Sequence, residues 1–290
     1  MTGPNDDPSP APLAALVQMT SGIDPAANLA VIDRAMAEAA AHGAAMAFLP
    51  EMSLLLDRDR ARSAAHIATE AASPWPQALQ DMAQRHALWL HSGSIPLLAD
   101  DGERRVNRSH VIAADGSIRA RYDKVHMFDV RLPSGENWQE SAAYSGGDAL
   151  SVVDTPLGLL GLSICYDLRF PELYRALVDR GAALIAVPAA FTVPTGEAHW
   201  HVLLRARAIE TASHIVAAAQ CGTHADGRAT YGHSLAVDPW GAVLADAARI
   251  DEATEKGYTL TIVPIEAAAV AKARAAIPLD QSRAIRSVDL

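Results

Sequence analysis

Short apolar runs alternate with longer stretches of helical period along most of the chain. The runs Leu13–Met19, Ala44–Leu49, Leu88–Ile95, Ser109–Ala113 and Gly158–Cys165 read as strands, as do Ala182–Val187, His214–Ala219, Gly232–Val237 and Tyr258–Pro264. Between them the pattern predicts helices. The first opens on Asp24 as N-cap with Pro25 in its first turn, aligns Leu29, Ile32 and Met36, and stops at Gly43. A second starts at Ser73-Pro74 and puts Leu79, Met82 and Ala83 on one side. Pro171–Arg180, Glu197–Thr211 and Ile265–Ala276 complete the set. Alternating strands and helices followed by strand-rich sequence fit a layered α/β domain. No repeat and no linker rich in Gly or Ser interrupts it. Two segments lack periodicity, Val125–Asp148 and Ala189–Gly196, and aperiodic segments of this kind are more often functional than accidental.

Composition narrows the partners. The formal charge of −10 argues against nucleic acid, because phosphate binding needs a basic face. Residues 1–10 carry no positive start and no apolar core, so they are expected to be a flexible tail, not a secretory signal. The strongly apolar stretch from Ala182 to Phe191 is about half a membrane span and contains Pro188, so no membrane partner is expected and the protein should be soluble. Cys165 and Cys221 make no disulfide framework in 290 residues, which favours a reducing, cytoplasmic setting. Buried core is the reading for Cys221.

Three residues carry candidate chemistry. Cys165 ends an apolar strand, and Pro171 then fits a first helical turn, so the thiol lies in a strand-to-helix bend. A thiol beside a helix N-terminus gains thiolate character, although a buried small hydrophobe is the alternative. Lys124 is one of only three lysines among 24 basic residues, and a compact ammonium cannot be exchanged for a guanidinium fork; an ordinary surface lysine is the alternative. Glu51 follows the run Ala44–Leu49 and Pro50, at the end of a strand, where α/β folds gather reactive groups; a solvated loop glutamate is the alternative. Taken together, they supply a nucleophile, a base and an oxyanion-stabilising cation, which is what amide hydrolysis through a thiol needs.

Other chemistries fit less well. Eleven histidines include His199, His201, His214, His224 and His233, but His199 and His201 fall about 200° apart on a helix, and no metal-binding spacing appears. Gly161-Leu-Ser163-Ile-Cys165 lacks the closing glycine of a serine nucleophile elbow. No metal and no organic cofactor are therefore expected.

Three motifs, Phe48-Leu-Pro-Glu51, Tyr122-Asp-Lys124-Val-His-Met-Phe128 and Ile164-Cys165-Tyr-Asp-Leu-Arg169-Phe-Pro-Glu172, resemble those of the nitrilase-like carbon–nitrogen hydrolase family, over residues 11 to 285. The resemblance implies one hydrolase domain over 11–290 with a four-layer α-β-β-α sandwich, paired through helices into an eight-layer homodimer or larger assembly. It implies that Cys165 attacks, Glu51 is base and then acid, Lys124 and the Tyr166 amide hold the oxyanion, and Glu140 orients Lys124 and the substrate. Cys165-Tyr-Asp resembles the amidase branch that contains omega-amidase and deaminated glutathione amidase. Leu204–Thr211, Val216–Gly222 and Tyr231–Gly241 are most similar to the latter. The expected substrate is a small carboxylate-bearing amide, with ammonia release through an acyl-thioester. Omega-amidase activity, N-carbamoyl hydrolysis and a non-catalytic binding module follow as alternatives. Arg169 is the expected carboxylate ligand, unless it pairs with Asp167 or Glu172. Phe191, Thr192 and Thr195 are expected to shape the pocket, and the segment from Ile277 to Leu290 either crosses to a partner subunit or stays loose.

Overall fold

A computed structural model describes residues 10–131, 135, 137–249 and 255–279. The N-terminal half carries strands β1 (Leu13–Met19), β2 (Met46–Phe48), β3 (Trp89–His91), β4 (Ile95–Leu98), β5 (Arg105–Ile112), β6 (Ile118–Asp123), β7 (Asp129–Arg131) and β8 (Asn137–Gln139). Next come β9 (Val152–Thr155), β10 (Gly158–Leu162), β11 (Leu184–Ala186), β12 (His214–Ala217) and β13 (Cys221–Thr223). The last strands are β14 (Ala229–Tyr231), β15 (Leu235–Val237), β16 (Val243–Asp246) and β17 (Tyr258–Pro264). Helices α1 (Pro25–Ala41), α2 (Arg60–Ala64), α3 (Pro74–His86), α4 (Pro171–Asp179), α5 (Val193–Thr211) and α6 (Ala267–Ala276) connect or flank them.

Two sheets form the centre. One runs β17-β1-β2-β3-β5-β4 with β6 on β5; the other runs β16-β15-β12-β11-β10-β9. The inner strands β1, β2 and β3 are parallel, as are β10, β11 and β12. Because side chains alternate along a strand, each inner strand serves two cores. Ala14, Leu16, Met46 and Phe48 face the second sheet, where Leu160 and Leu162 meet the same cluster. Ala15, Val17, Ala47 and Leu49 face the other way, against Ile32 and Met36 of α1 and Leu79 and Met82 of α3. Leu177 of α4 and Leu204 of α5 cover the outer side of the second sheet. The result is the α-β-β-α sandwich, and it explains why the inner strands read as unbroken apolar runs.

Most predicted elements are present, and Asp24 caps α1 by accepting from the Ala26 amide at 2.9 Å. Differences have local causes. The run Leu88–Ile95 divides into β3 and β4 at Gly93, whose φ is +65°. Helix α5 begins at Val193, four residues before Glu197, because Thr192 and Pro194 form a first turn whose composition looks like loop. Segment 125–148 is not structureless: β7 pairs β8, and Glu140–Ala142 forms a 3-10 turn. Strand β6 is missed by an apolar-run criterion because Arg119 and Arg121 alternate outward. The expected N-terminal tail, apart from Pro10, and the C-terminal segment beyond residue 279 lie outside the described residues. Among the described residues no helix is long and apolar enough to cross a membrane.

Candidate active site

Cys165 follows β10 and takes a left-handed backbone, φ +49°, uncommon for a residue with a side chain. Its amide donates to the Pro188 carbonyl at 2.9 Å, which ties the elbow to the end of β11. A 3-10 turn, Cys165–Arg169, then leads into α4 with Pro171 at its start. The fully buried Asp167 holds this elbow. Its carboxylate accepts from the Ile164 amide at 2.9 Å, the Tyr122 hydroxyl at 2.7 Å and the His126 amide at 3.0 Å, and it sits 2.7 Å from His126 Nδ1. Tyr122 and His126 bracket Lys124, so one carboxylate locks the cysteine motif to the lysine motif. The His126 ring also stacks on Phe170 at 3.6 Å.

Lys124 is 2% exposed. Its Nζ donates to Glu51 Oε1 at 2.9 Å and to Glu140 at 2.9 and 3.2 Å. Glu51 Oε1 also accepts from Asn107 Nδ2 at 2.9 Å, and its Oε2 accepts from the Ala190 amide at 3.0 Å. Glu140 Oε2 accepts from the Phe128 amide at 2.7 Å. All four carboxylate oxygens are thus committed to an ammonium and to neutral donors, a set suited to a fixed cation on Lys124. Behind Glu51, Gln220 Nε2 donates to the Glu51 carbonyl and to Ser21 Oγ. Gly93 permits this layout: a Cβ there would lie 1.9 Å from the Pro50 carbonyl oxygen. Gly147 plays the same part beside Lys124, where a Cβ would lie 2.4 Å from the Asp123 carbonyl.

The electrostatics differ from the expected thiolate. Burial pushes the Cys165 thiol well above its ordinary range; Glu51 pushes the same way by repulsion and by hydrogen bonding the thiol, and Lys124 only partly opposes them. For Lys124 burial favours the neutral amine, but Glu140, Glu51 and Cys165 outweigh it and raise the group well above its ordinary range. The resting arrangement is therefore a neutral thiol beside an ammonium shared by two carboxylates. The short 3-10 turn leaves too few aligned amides to reverse that balance.

These groups form the floor of a cavity of about 480 Å³. Glu51, Lys124, Glu140, Cys165 and Tyr166 line it together with Phe191, Thr192 and Thr195, so eight of the expected residues meet in one place. Arg169 does not line it. Its guanidinium lies 3.3 Å from His199 Nδ1 and over the rings of Tyr166 and Phe191, backing the aromatic wall from behind. Asp167 is taken by Tyr122 and His126, so Arg169 does not pair with it. The guanidinium groups that do line the cavity are Arg58, Arg60, Arg105 and Arg228. Arg228 pairs with Asp226 at 2.7 Å and lies over the Trp138 ring. Sequence reasoning missed these four, since arginine is the common basic residue here and nothing local marks them. Asp167, Tyr122 and His126, by contrast, stand inside the motifs already singled out.

Comparison with known proteins identifies the family and the fold. Residues 13–275 match the carbon–nitrogen hydrolase family. A deaminated glutathione amidase of Yersinia enterocolitica is 42% identical over 232 residues, 79% of this chain and 80% of that protein. The crystal structure of the Caenorhabditis elegans NitFhit protein aligns with a TM-score of 0.83 at 35% identity; the match covers 95% of this chain and 66% of that longer one. Saccharomyces cerevisiae Nit3, a member of branch 10 of the nitrilase superfamily, aligns with a TM-score of 0.81 at 30% identity, covering 96% and 98% of the two chains. With the match running through nearly every element described above, the chain belongs to the carbon–nitrogen hydrolase family.

Proposed function

We propose that this carbon–nitrogen hydrolase is a cysteine-dependent amidase for a small carboxylate-bearing amide, with deaminated glutathione as its substrate. The observation that carries the reading is the convergence of Cys165, Glu51, Lys124 and Glu140 at the floor of a cavity lined by four guanidinium groups. An anionic ligand entering a chain of net charge −10 needs such a local reversal of sign. The Yersinia relative's name supports the choice of amide.

The cycle balances on this chain's own groups. Cys165 Sγ bonds to the amide carbon as its proton passes to Glu51. The carbonyl oxygen becomes an oxyanion held by the Lys124 ammonium and the Tyr166 amide. Collapse breaks the carbon–nitrogen bond; Glu51 returns the proton to the departing amine, and an acyl-thioester remains. Water then adds to the thioester carbon, with Glu51 taking its proton, and the thiol leaves protonated. For deaminated glutathione the departing group is the amine of cysteinylglycine; ammonia departs when the amide is primary, as in 2-oxoglutaramate. Glu140 holds Lys124 in place. Each positioned proton transfer contributes about 10²–10⁴ in rate, and losing an oxyanion donor costs about 3–4 kcal/mol.

The test measures 2-oxoglutarate formed from deaminated glutathione and from 2-oxoglutaramate, with the Cys165→Ala protein as background. Faster Cys165-dependent release from deaminated glutathione is the expected result. Faster release from 2-oxoglutaramate would move the assignment to omega-amidase, and no Cys165-dependent product would overturn the amidase reading for these acids. A count of only two cysteines in 290 residues supports a reducing, cytoplasmic setting, and a deaminated form of glutathione as substrate would make the reaction one of metabolite repair. Exposed Val202 and Ile209 on α5, with Trp240 nearby in sequence to β15 and β16, support pairing of single-domain chains into a homodimer. Light scattering should give twice 30.7 kDa.

A further inference from the structure

Outside the cavity, three elements bring two imidazoles and a carboxylate to one point. His201 projects from α5, His233 precedes β15, and Asp246 ends β16. His201 Nε2 lies 3.0 Å from Asp246 Oδ2, and His233 Nδ1 lies 2.9 Å from Oδ1 and 3.2 Å from Oδ2. One ligand atom from each falls within 4.8 Å of the others; tetrahedral ligands of a single zinc ion at about 2.0–2.2 Å lie roughly 3.3–3.6 Å apart, so a small side-chain adjustment would bring all three onto one ion. None of the three lines the cavity.

The surroundings hold the cluster in shape. His233 has a left-handed backbone, φ +55°, which costs a residue with a side chain and recurs at ligand clamps. Its carbonyl accepts from Trp200 Nε1 at 2.8 Å, and its ring stacks on Tyr231 at 4.5 Å. The His201 ring meets the His233 ring edge-on at 4.9 Å. Burial opposes ionisation of Asp246, yet His201, the Ala248 amide and His233 together hold its carboxyl below the ordinary range. The side chains remain 20–33% exposed, so solvent reaches the open side.

We propose that His201, His233 and Asp246 form a binding site for a divalent transition-metal ion of the zinc type, with water filling the remaining position. Two imidazole nitrogens and one carboxylate are a borderline-hard set that suits this class better than calcium or magnesium, which prefer oxygen alone. An ion there would clamp α5 to β15 and β16. Thr195 of α5 and Thr230, next to Tyr231, both line the cavity, so the clamp would brace one of its walls. The inference does not depend on the amide assigned above.

The experiment uses the full chain carrying Cys165→Ser, so that the active-site thiol binds no metal. Equilibrium dialysis against Zn²⁺ with metal analysis should give one ion per chain. Co²⁺ should develop visible ligand-field bands, and the Tm should rise with metal. His201→Gln and Asp246→Asn, each added to that background, keep the hydrogen-bonding shape. Each should weaken binding more than about 100-fold, since even loss of an outer partner costs about 10–100-fold, and neither should change the metal-free Tm by much. Absence of bound Zn²⁺ at saturating concentration would overturn the proposal. So would equal binding by the parent and both variants, which would leave the trio as a hydrogen-bonded brace.

Discussion

Replacing Glu51 by Gln should move the reactivity and the catalysis of Cys165 in opposite directions. In the resting protein the thiol is held neutral first by burial and then by the Glu51 carboxylate, against the pull of Lys124. Glu51→Gln removes the repulsive charge and leaves the ammonium, which keeps Glu140 as its partner at 2.9 Å. Two unit charges about 4 Å apart at an effective dielectric of about 20 interact by about 4 kcal/mol. That bounds the fall in the thiol's pKa at about 3, at 1.36 kcal/mol for each tenfold change. Below the midpoint the thiolate fraction should therefore rise by up to about 10³.

Amide hydrolysis should fall all the same, by about 10²–10⁴, because the variant has no group to receive the thiol proton or to deliver it to the departing amine. The assay pairs two readouts on one preparation: the pH profile of iodoacetamide alkylation at Cys165, resolved from Cys221 by peptide mass, and product release from deaminated glutathione. The expected result is alkylation shifted to lower pH with turnover nearly lost. An alkylation profile that stays put or shifts to higher pH would refute the electrostatic argument, and retained turnover would refute the base role.

Asp167→Ala should loosen the elbow. It strips an acceptor from the Ile164 amide, the Tyr122 hydroxyl and the His126 amide, and buried donors left unpaired cost about 1–3 kcal/mol each. A loss of about 3 kcal/mol or more, read as a Tm lower by about 6 °C or more, is expected; an unchanged Tm would contradict it. Gly93→Ala should push Pro50 and Glu51 out of place, because its Cβ would enter the Pro50 carbonyl at 1.9 Å on a backbone of φ +65°. A displacement of about 1 Å costs on the order of 10² in turnover, so kcat measured beside Cys165 alkylation checks it. Stability should also fall on mild acidification. Burial lowers His224 to about 4 and His91 to about 3, so both stay neutral in the fold, whereas the unfolded chain takes up protons below about 6.5. Their contribution is complete above that pH and is lost as pH falls towards the folded values; His224 alone should cost about 2 kcal/mol at pH 5. Urea midpoints at pH 7 and pH 5 measure it, and a midpoint that does not move would refute the assignment of these histidines as buried and neutral.

How much of this was legible in the sequence depends on the scale over which each interaction acts. The inner strands were readable because both faces of β2, β11, nearly all of β1 and the last three residues of β10 are buried, and a mostly apolar run is the direct imprint of that. Strand β6 was not, because Arg119 and Arg121 face outward and only alternate residues carry the signal. The start of α5 was hidden for another reason. Thr192, Pro194 and Gly196 have loop-like composition, yet Gly196 is required by the neighbouring strand, since a Cβ there would lie 2.2 Å from the Tyr231 ring. Tertiary contact, not helix propensity, selected that residue.

The same division governs the site. Glu51, Lys124 and Cys165 could be singled out as a group because each stands in a distinctive local motif and together they supply a nucleophile, a base and a cation, although each taken alone had an ordinary reading. What local motifs cannot convey is the sign of their mutual interaction. Strand-to-helix placement suggested a thiolate, but the assembled group puts a buried carboxylate against the thiol and shares the ammonium with a second carboxylate 16 residues further on. Position is encoded locally, whereas charge state is set by burial and by neighbours that the fold alone brings close. Arg169 shows the converse error. Proximity in sequence to the nucleophile made it the expected carboxylate ligand, yet a side chain four residues along a tight turn points away, to His199, and the cavity takes its guanidinium groups from the loop before α2, the first residue of α2, strand β5 of the opposite sheet and the residue before β14. A residue's reach into a site follows the direction of its backbone, and chain separation is a poor guide to it.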